Sequence, residues 1–415
     1  MKFQAPKGTA DVLPSDQPMR GRVIQTLQQA ARHAGYGPIT VPTFEETSLF
    51  ARAAGDGSDV VQKEMYTFKD SGGRSLTLRP EATAQVVRAY IEHGMHRSPL
   101  PFKVEYTAPM FRYAAPQKGR FREFWQVGVE AIGSDDPAVD VELISIAVRA
   151  FASLGLTGIR LKINSIGCSK CRTDYLKKLT IFFNDFDAKL DEGLRAKAQL
   201  SPLRMFDSNN PSVVKLLEGA PLINDHLCEE CHEHFVEVSR LLVALGIDFD
   251  LAPRLVRGLD YYTRTVFEFV DVELDAAQST ICAGGRYDGL VAELGGKVTP
   301  ASGLAAGIER IVLSCKQRGL IDDYSPTIDV FFAFTEGVDR QETLVLLNDL
   351  RSIWKCEIDY AHRSLKGQIT QASRLGARVV AVVEQDKVIL RVREGNDITV
   401  NDLQKVPEKL KEILQ

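Results

Sequence analysis

The chain has 415 residues, 44% hydrophobic and 26% charged, with a formal net charge of −4. That length exceeds the ~250–300 residues at which single cores stop growing, so more than one domain is expected. No run approaches the ~18 apolar residues of a spanning helix. The opening MKFQAPKGTADVLP carries no apolar signal-peptide core, and seven cysteines in so long a chain are not a secreted disulfide framework, so a cytoplasmic protein outside the membrane is expected. A charge of −4 leaves nucleic acid open, because binding needs only a local basic patch.

Taken in order, residues 18–35 have helical spacing, with Val23, Leu27 and Ala30 on one side and Gly35 as the stop. GPITVPTFEE is an extended segment broken by Pro42, which places it at a sheet margin or subunit contact. SLTLRPEATAQVVRAYIEHG predicts a short strand and then a helix with Pro80 at its first position and Glu81 in its first turn. Residues 109–133 predict two strands joined by a basic, proline-broken turn. Strand alternation puts Phe124, Gln126, Gly128 and Glu130 on one face. A Gln and a Glu flanking a Gly are poor core design, so a polar ligand is expected there, with the glycine leaving room for it.

Residues 140–154 predict another helix and IRLKINSIG another strand. The stretch 168–246 turns polar and helix-rich, as an insertion would. Strands resume through RLVRGLDYYTRTVFEFVDVE and STICAGGRYDGL, then ASGLAAGIERIVLSC reads as strand and helix. After a linker at 321–327, strand and helix alternate to the end, as in a small α/β domain.

Four stretches carry candidate chemistry: Arg79 to Thr83, the 109–133 hairpin, Arg257 to Arg264, and Ala301 to Arg310. Each also has an ordinary account, whether helix-dipole complementation by Glu81, a hairpin with a polar outer face, one tyrosine in the core and one outside, or close packing at Gly303, Ala305 and Gly307.

Together and in this order, these segments resemble histidyl-tRNA synthetase, a class II aminoacyl-tRNA synthetase. KGTADVLP resembles the family's opening segment. GYGPITVPTFEE, FRYAAPQKGRFREF and GLAAGIERIVL resemble its three class motifs. TLRPEATA, RGLDYYTRTVFE and AGGRYDGL look like segments peculiar to histidyl enzymes, and RSLKGQITQASRLGAR like its anticodon-binding domain. The resemblance implies an α+β catalytic domain over 1–320, an antiparallel class II sheet flanked by helices and interrupted by the 168–246 helical insertion. A C-terminal α/β anticodon-binding-type domain would follow over 328–415.

It also implies the reaction: histidine and ATP give histidyl-adenylate, and the histidyl group passes to tRNA(His), in a homodimer using Mg²⁺. Arg112 and Arg257 are expected at the α-phosphate and substrate carboxylate, where a planar fork suits both groups. Arg310 and Arg120 would hold phosphates, with Mg²⁺ bridging the distal ones, and Phe124 would stack on adenine. Glu81, Ala82, Thr83 and Gln126 would surround the α-ammonium of L-histidine. Glu130 and Tyr262 would meet the imidazole, with Tyr261 lining the pocket. Gln117, Lys118 and Arg120 would act on the acceptor end of the tRNA, and Lys366, Arg374 and Arg378 on its phosphates. The insertion would clamp the acceptor stem. Ala114 and Ala115 stand where the family usually shows Glu-Arg, which implies a weaker grip on the nucleotide.

The alternative is a non-catalytic histidine-binding paralogue that regulates ATP phosphoribosyltransferase; against it stand Arg257, Arg310 and the C-terminal domain. The resemblance requires no metal in the protein, so none is expected. Cys168-x-x-Cys171 and Cys228-x-x-Cys231 nonetheless have zinc-knuckle spacing, the ordinary account being that the insertion's ends meet without metal.

Overall fold

The computed structural model of the chain describes every residue except 1–2, 56–57, 59, 116–118, 187–189, 209, 276–278, 321–326 and 415. It forms two compact units, Met1–Asp322 and Asp323–Gln415. The expected linker, apart from residue 327, lies outside the described residues. No described helix is long and apolar enough to cross a membrane.

In the first unit, α1 (Gln17–His33) is followed by β1 (Gly37–Pro38), β2 (Phe44–Glu46), α2 (Thr47–Ala54), β3 (Tyr66–Lys69), β4 (Ser75–Leu78) and α3 (Thr83–Glu92). The hairpin β5 (Phe102–Phe111) and β6 (Glu123–Ile132) leads to α4 (Pro137–Ser153) and β7 (Ile159–Ser165). The insertion holds α5 (Ser169–Asp185), α6 (Glu192–Leu200), α7 (Pro211–Leu216) and α8 (Glu229–Ala244). The chain returns through β8 (Asp250–Leu251), β9 (Thr263–Asp271), β10 (Thr280–Arg286), α9 (Leu290–Glu293), β11 (Ala301–Gly307) and α10 (Ile308–Gln317).

Eight of these strands make one sheet in the order β1-β5-β6-β11-β10-β9-β7-β8, antiparallel except at its two short margins. Its centre is buried on both faces, and the strand period of two divides the work. On β6, Val127, Val129 and Ala131 pack beneath Val23, Leu27 and Ala31 of α1, residues of α4, and Ile308 and Ile311 of α10. Each Val, Leu or Ile among them contributes roughly 1.5–3 kcal/mol. The intervening positions of β6 point to the other face. The apolar side of α1 includes Val23, Leu27 and the half-buried Ala30, and extends to the fully buried Ala31, which continues the four-residue step from 23 and 27. α4 begins where Pro137 follows Asp136, whose carboxylate accepts from Ala138 N at 2.8 Å.

The start of α3 differs from expectation, as does that of α4, which begins at Pro137 rather than 140. α3 begins at Thr83, so Pro80 and Glu81 precede it. Glu81 reaches forward instead, accepting from Thr83 N at 2.6 Å and Ala84 N at 3.1 Å. A carboxylate satisfies those free amides as well from outside the helix as from within it.

The insertion has an apolar core of its own, with Tyr175, Leu179, Phe183, Met205, Val213 and Leu217 at its centre. It is tied to the helix α4 by the buried pair of His234 on α8 with Asp140 at 2.8 Å.

The second unit has a five-stranded sheet, β13-β12-β14-β15-β16, with β12 (Val330–Phe334), β13 (Cys356–Ile358), β14 (Val379–Val383), β15 (Val388–Val392) and β16 (Ile398–Val400). Helices α11 (Gln341–Leu350), α12 (Leu365–Arg374) and α13 (Val406–Leu414) cover it. The first three strands in that order are parallel and the last two antiparallel. β16 was not expected: three residues between polar turns give no readable alternation.

Candidate active site

The open face of the large sheet carries a cavity of about 500 Å³, walled by β6, β9, β10, β11 and the loop before β9. Phe124, Gln126 and Glu130 of β6 line it. Gly128 does something other than admit a ligand. A Cβ there would sit 2.0 Å from the Tyr106 ring, so the glycine makes way for that tyrosine. Tyr106 in turn donates to Glu130 at 3.4 Å.

Glu130 lines the cavity and is buried. It accepts from Tyr287 at 2.6 Å and from Thr83 at 2.8 Å. Burial pushes its carboxyl up to about 8, even though these hydroxyls favour the ionised form. Burial likewise raises Glu81, whose bonds to the α3 amides pull the other way. Thr83 therefore gives its hydroxyl to Glu130, while Glu81 and Gln126 line the cavity beside them. Ala82 is fully buried against the neighbouring apolar cluster. Tyr261 and Tyr262 are both buried, with ring centroids 4.7 Å apart, so neither ring takes the outside place of the ordinary account.

The same cavity is also lined by guanidiniums. Arg112 donates to Pro80 O at 2.8 Å and lies over the Phe124 ring, 5.3 Å from its centroid. Arg310, in the first turn of α10, donates to Thr280 O at 2.7 Å and Gly119 O at 3.2 Å. Burial lowers both guanidiniums from their usual range, and repulsion from Arg120 and Arg112 lowers Arg310 further. Arg257 pairs with Glu268 and leaves its buried Nε without a hydrogen-bond partner. Burial opposes its charge, but Glu268, Tyr262 and Tyr261 more than compensate, holding it above the ordinary value. Crowded cations with an unused buried donor are the groups an anion would need.

Arg120 lines the cavity and pairs with Glu64 at 3.0 Å. Ala114 lines it too and is buried. Gln117 and Lys118 lie outside the described residues. In the second unit Lys366 and Arg374 are exposed on α12, whereas Arg378 is engaged with Asp329 and Leu414 O, each at 3.4 Å. Tyr106, Tyr287, Glu268 and Asp207 were not singled out from sequence. Tyr287 and Glu268 sit inside AGGRYDGL and RGLDYYTRTVFE, the segments that resemble histidyl enzymes, whereas no sequence signal marks Tyr106 or Asp207. Asp207 belongs to the insertion, which thus helps wall the cavity. From the same turn Arg204 donates to Asp260 at 2.9 Å and Gly258 O at 2.8 Å, tying the insertion to the tyrosine loop.

The profile of the family described as Histidyl-tRNA synthetase matches residues 8–311. The chain is 46% identical over 408 residues to the histidine–tRNA ligase of Corynebacterium kroppenstedtii, covering 98% of this chain and 95% of that one. The chain belongs to the histidyl-tRNA synthetase family. The Mycobacterium bovis histidine–tRNA ligase is also 46% identical, over 97% of this chain and 93% of its own. Among solved structures, apo histidyl-tRNA synthetase of Staphylococcus aureus matches with a TM-score of 0.82 and 36% identity, over 99% of this chain and 100% of that one. A protein described as an ATP phosphoribosyltransferase regulatory subunit/histidyl-tRNA synthetase, from Bacillus halodurans, shares the fold at a TM-score of 0.64 and 21% identity. For a histidyl-tRNA synthetase family member, the eight-stranded sheet of the first unit is the class II catalytic sheet, and the second unit stands where the family carries its C-terminal domain.

Proposed function

We propose that this chain ligates L-histidine to tRNA(His) through a histidyl-adenylate formed from ATP. The observation that carries the reading is one cavity lined both by the buried carboxyls of Glu81 and Glu130 and by the guanidiniums of Arg112, Arg257 and Arg310. Amino acid and nucleotide must meet in such a space for the carboxylate to attack the α-phosphate in line. Charge builds on phosphoryl oxygens in that step, so fixed cations placed beforehand lower the barrier without a protein nucleophile.

In this reading Glu81 and Gln126 take the α-ammonium, and Glu130, set by Thr83 and Tyr287, faces the imidazole beside Tyr261 and Tyr262. Arg257 and Arg112 hold the substrate carboxylate and the α-phosphate. Phe124 stacks on adenine, while Arg310 and Arg120 hold the distal phosphates. Mg²⁺ takes few protein ligands in such sites, and Glu268 on the cavity wall is a carboxylate that fits the role. When bound, the ion would neutralise charge on the phosphate oxygens. The protein would act as a cytoplasmic homodimer. Lys366 and Arg374 would contact tRNA phosphates, with the insertion against the acceptor stem.

The test is histidine-dependent ATP–pyrophosphate exchange with purified protein, followed by charging of tRNA(His). Exchange is expected. Histidine binding without exchange at millimolar ATP would favour the regulatory paralogue instead.

A further inference from the structure

The two CxxC pairs are separated by 56 intervening residues, yet they meet. Cys168 precedes α5 and Cys171 lies in its first turn; Cys228 and Cys231 stand in the same relation to α8. All four sulfurs lie within 4.8 Å of one another, with Cys168 Sγ 3.7 Å from Cys171 Sγ and 3.9 Å from Cys228 Sγ. Four thiolates around one zinc at about 2.3 Å stand about 3.8 Å apart at the corners of a tetrahedron. The spacing fits one metal ion; an iron–sulfur cluster spreads its thiolates over several irons and needs more room.

The surroundings are those of a built ligand set. Cys228 N donates to Cys171 Sγ at 3.1 Å, and backbone amides aimed at sulfur favour the thiolate. Gly167, at φ +65°, turns the chain into the knuckle; a Cβ there would strike Cys171 Cβ at 2.7 Å. All four cysteines are free, with Cys171 and Cys231 buried and the other two partly exposed, which leaves a path for an ion.

We propose that Cys168, Cys171, Cys228 and Cys231 bind one structural zinc ion that clasps the two ends of the insertion. The clasp is joined to the tyrosine loop. Gly167 O accepts from Arg264 N at 3.0 Å. Arg172, one residue beyond Cys171, donates to Tyr262 O and to Ile166 O at 3.3 Å. Zinc is therefore a positioning element for the end of the cavity that holds Tyr261 and Tyr262, with no part in the chemistry.

The test is elemental analysis of the full-length protein purified without chelator, together with cobalt substitution and intact-mass measurement. The expected results are about one zinc per chain and a thiolate-to-cobalt charge-transfer band. Cys228→Ser should lower metal content at least several-fold, and Cys356→Ser, a buried cysteine of the second unit, should leave it unchanged. Zinc content near zero, iron in its place, or a native disulfide within either pair would overturn the proposal whether or not the serine variant folds. Stripping the zinc should raise the KM for histidine several-fold more than the KM for ATP. Equal KM values before and after stripping would overturn the positioning role alone.

Discussion

Glu130 and Gly303 stand opposite each other on β6 and β11, and the Glu130 carboxylate occupies the space that a side chain at 303 would need. A Cβ on Gly303 would fall 1.7 Å from Glu130 Oε2. The smooth strip of Gly303, Ala305 and Gly307 is thus partly a seat for the acid and only beyond it a wall for a ligand.

Gly303→Ala should for this reason behave as a histidine-site mutation although no functional group is removed. Displacing a positioned carboxylate by about 1 Å can lower kcat/KM by roughly 10²-fold. Steady-state exchange should show most of the loss in the KM for histidine, with circular dichroism unchanged.

Glu130→Gln keeps the shape and removes the carboxylate that Glu130 would become on meeting the imidazole. A charge-assisted hydrogen bond contributes about 1.5–3 kcal/mol, so histidine binding should weaken roughly 10- to 150-fold while the KM for ATP stays within about twofold. Equal shifts in both constants would remove Glu130 from the imidazole position.

The same residue makes a pH prediction. Its carboxyl is raised from 4.5 to about 8 by burial, so between those values the folded chain retains a proton that the unfolded chain has lost. That contribution is whole below the lower value and is lost as pH rises through the upper one, by at most about 1.4 kcal/mol per pH unit. Ligand-free Glu130→Gln should accordingly melt higher than the unaltered protein at pH 8–9, and the gap should close towards pH 5.

Arg257→Ala should lower the exchange rate roughly 10²–10³-fold, the usual effect of losing one fixed donor to transition-state charge. Arg257→Lys should rescue it poorly, because an ammonium cannot both pair with Glu268 and present a planar fork to an anion. Recovery by lysine to near the original rate would argue against the proposed bidentate role.

Arg204→Ala should act at a distance from the chemistry. Its buried guanidinium holds Asp260 and Gly258 O from the insertion side. Losing it should raise the KM for histidine and speed proteolysis within 168–246, with little change in the KM for ATP.

The hairpin, the helix α10 behind Arg310 and the strand–helix alternation of the second unit were all legible in the sequence, because their signals are local: a period of two or 3.6, a proline, a glycine stop. Local rules also placed Phe124, Gln126 and Glu130 on one face. They could not say what Gly128 was for, since the Tyr106 ring that fills its space is 22 residues away on β5. Nor could they choose between Glu81 as a cap and Glu81 as a cavity wall; in the folded chain it is both. The sequence by itself determined which residues could share a strand face and which spacings could carry a metal. Only the tertiary structure decided which faces meet across β6, β11 and the tyrosine loop, and that four cysteines from the two ends of the insertion share one point. Such meetings depend on long-range packing, which no short window of sequence contains.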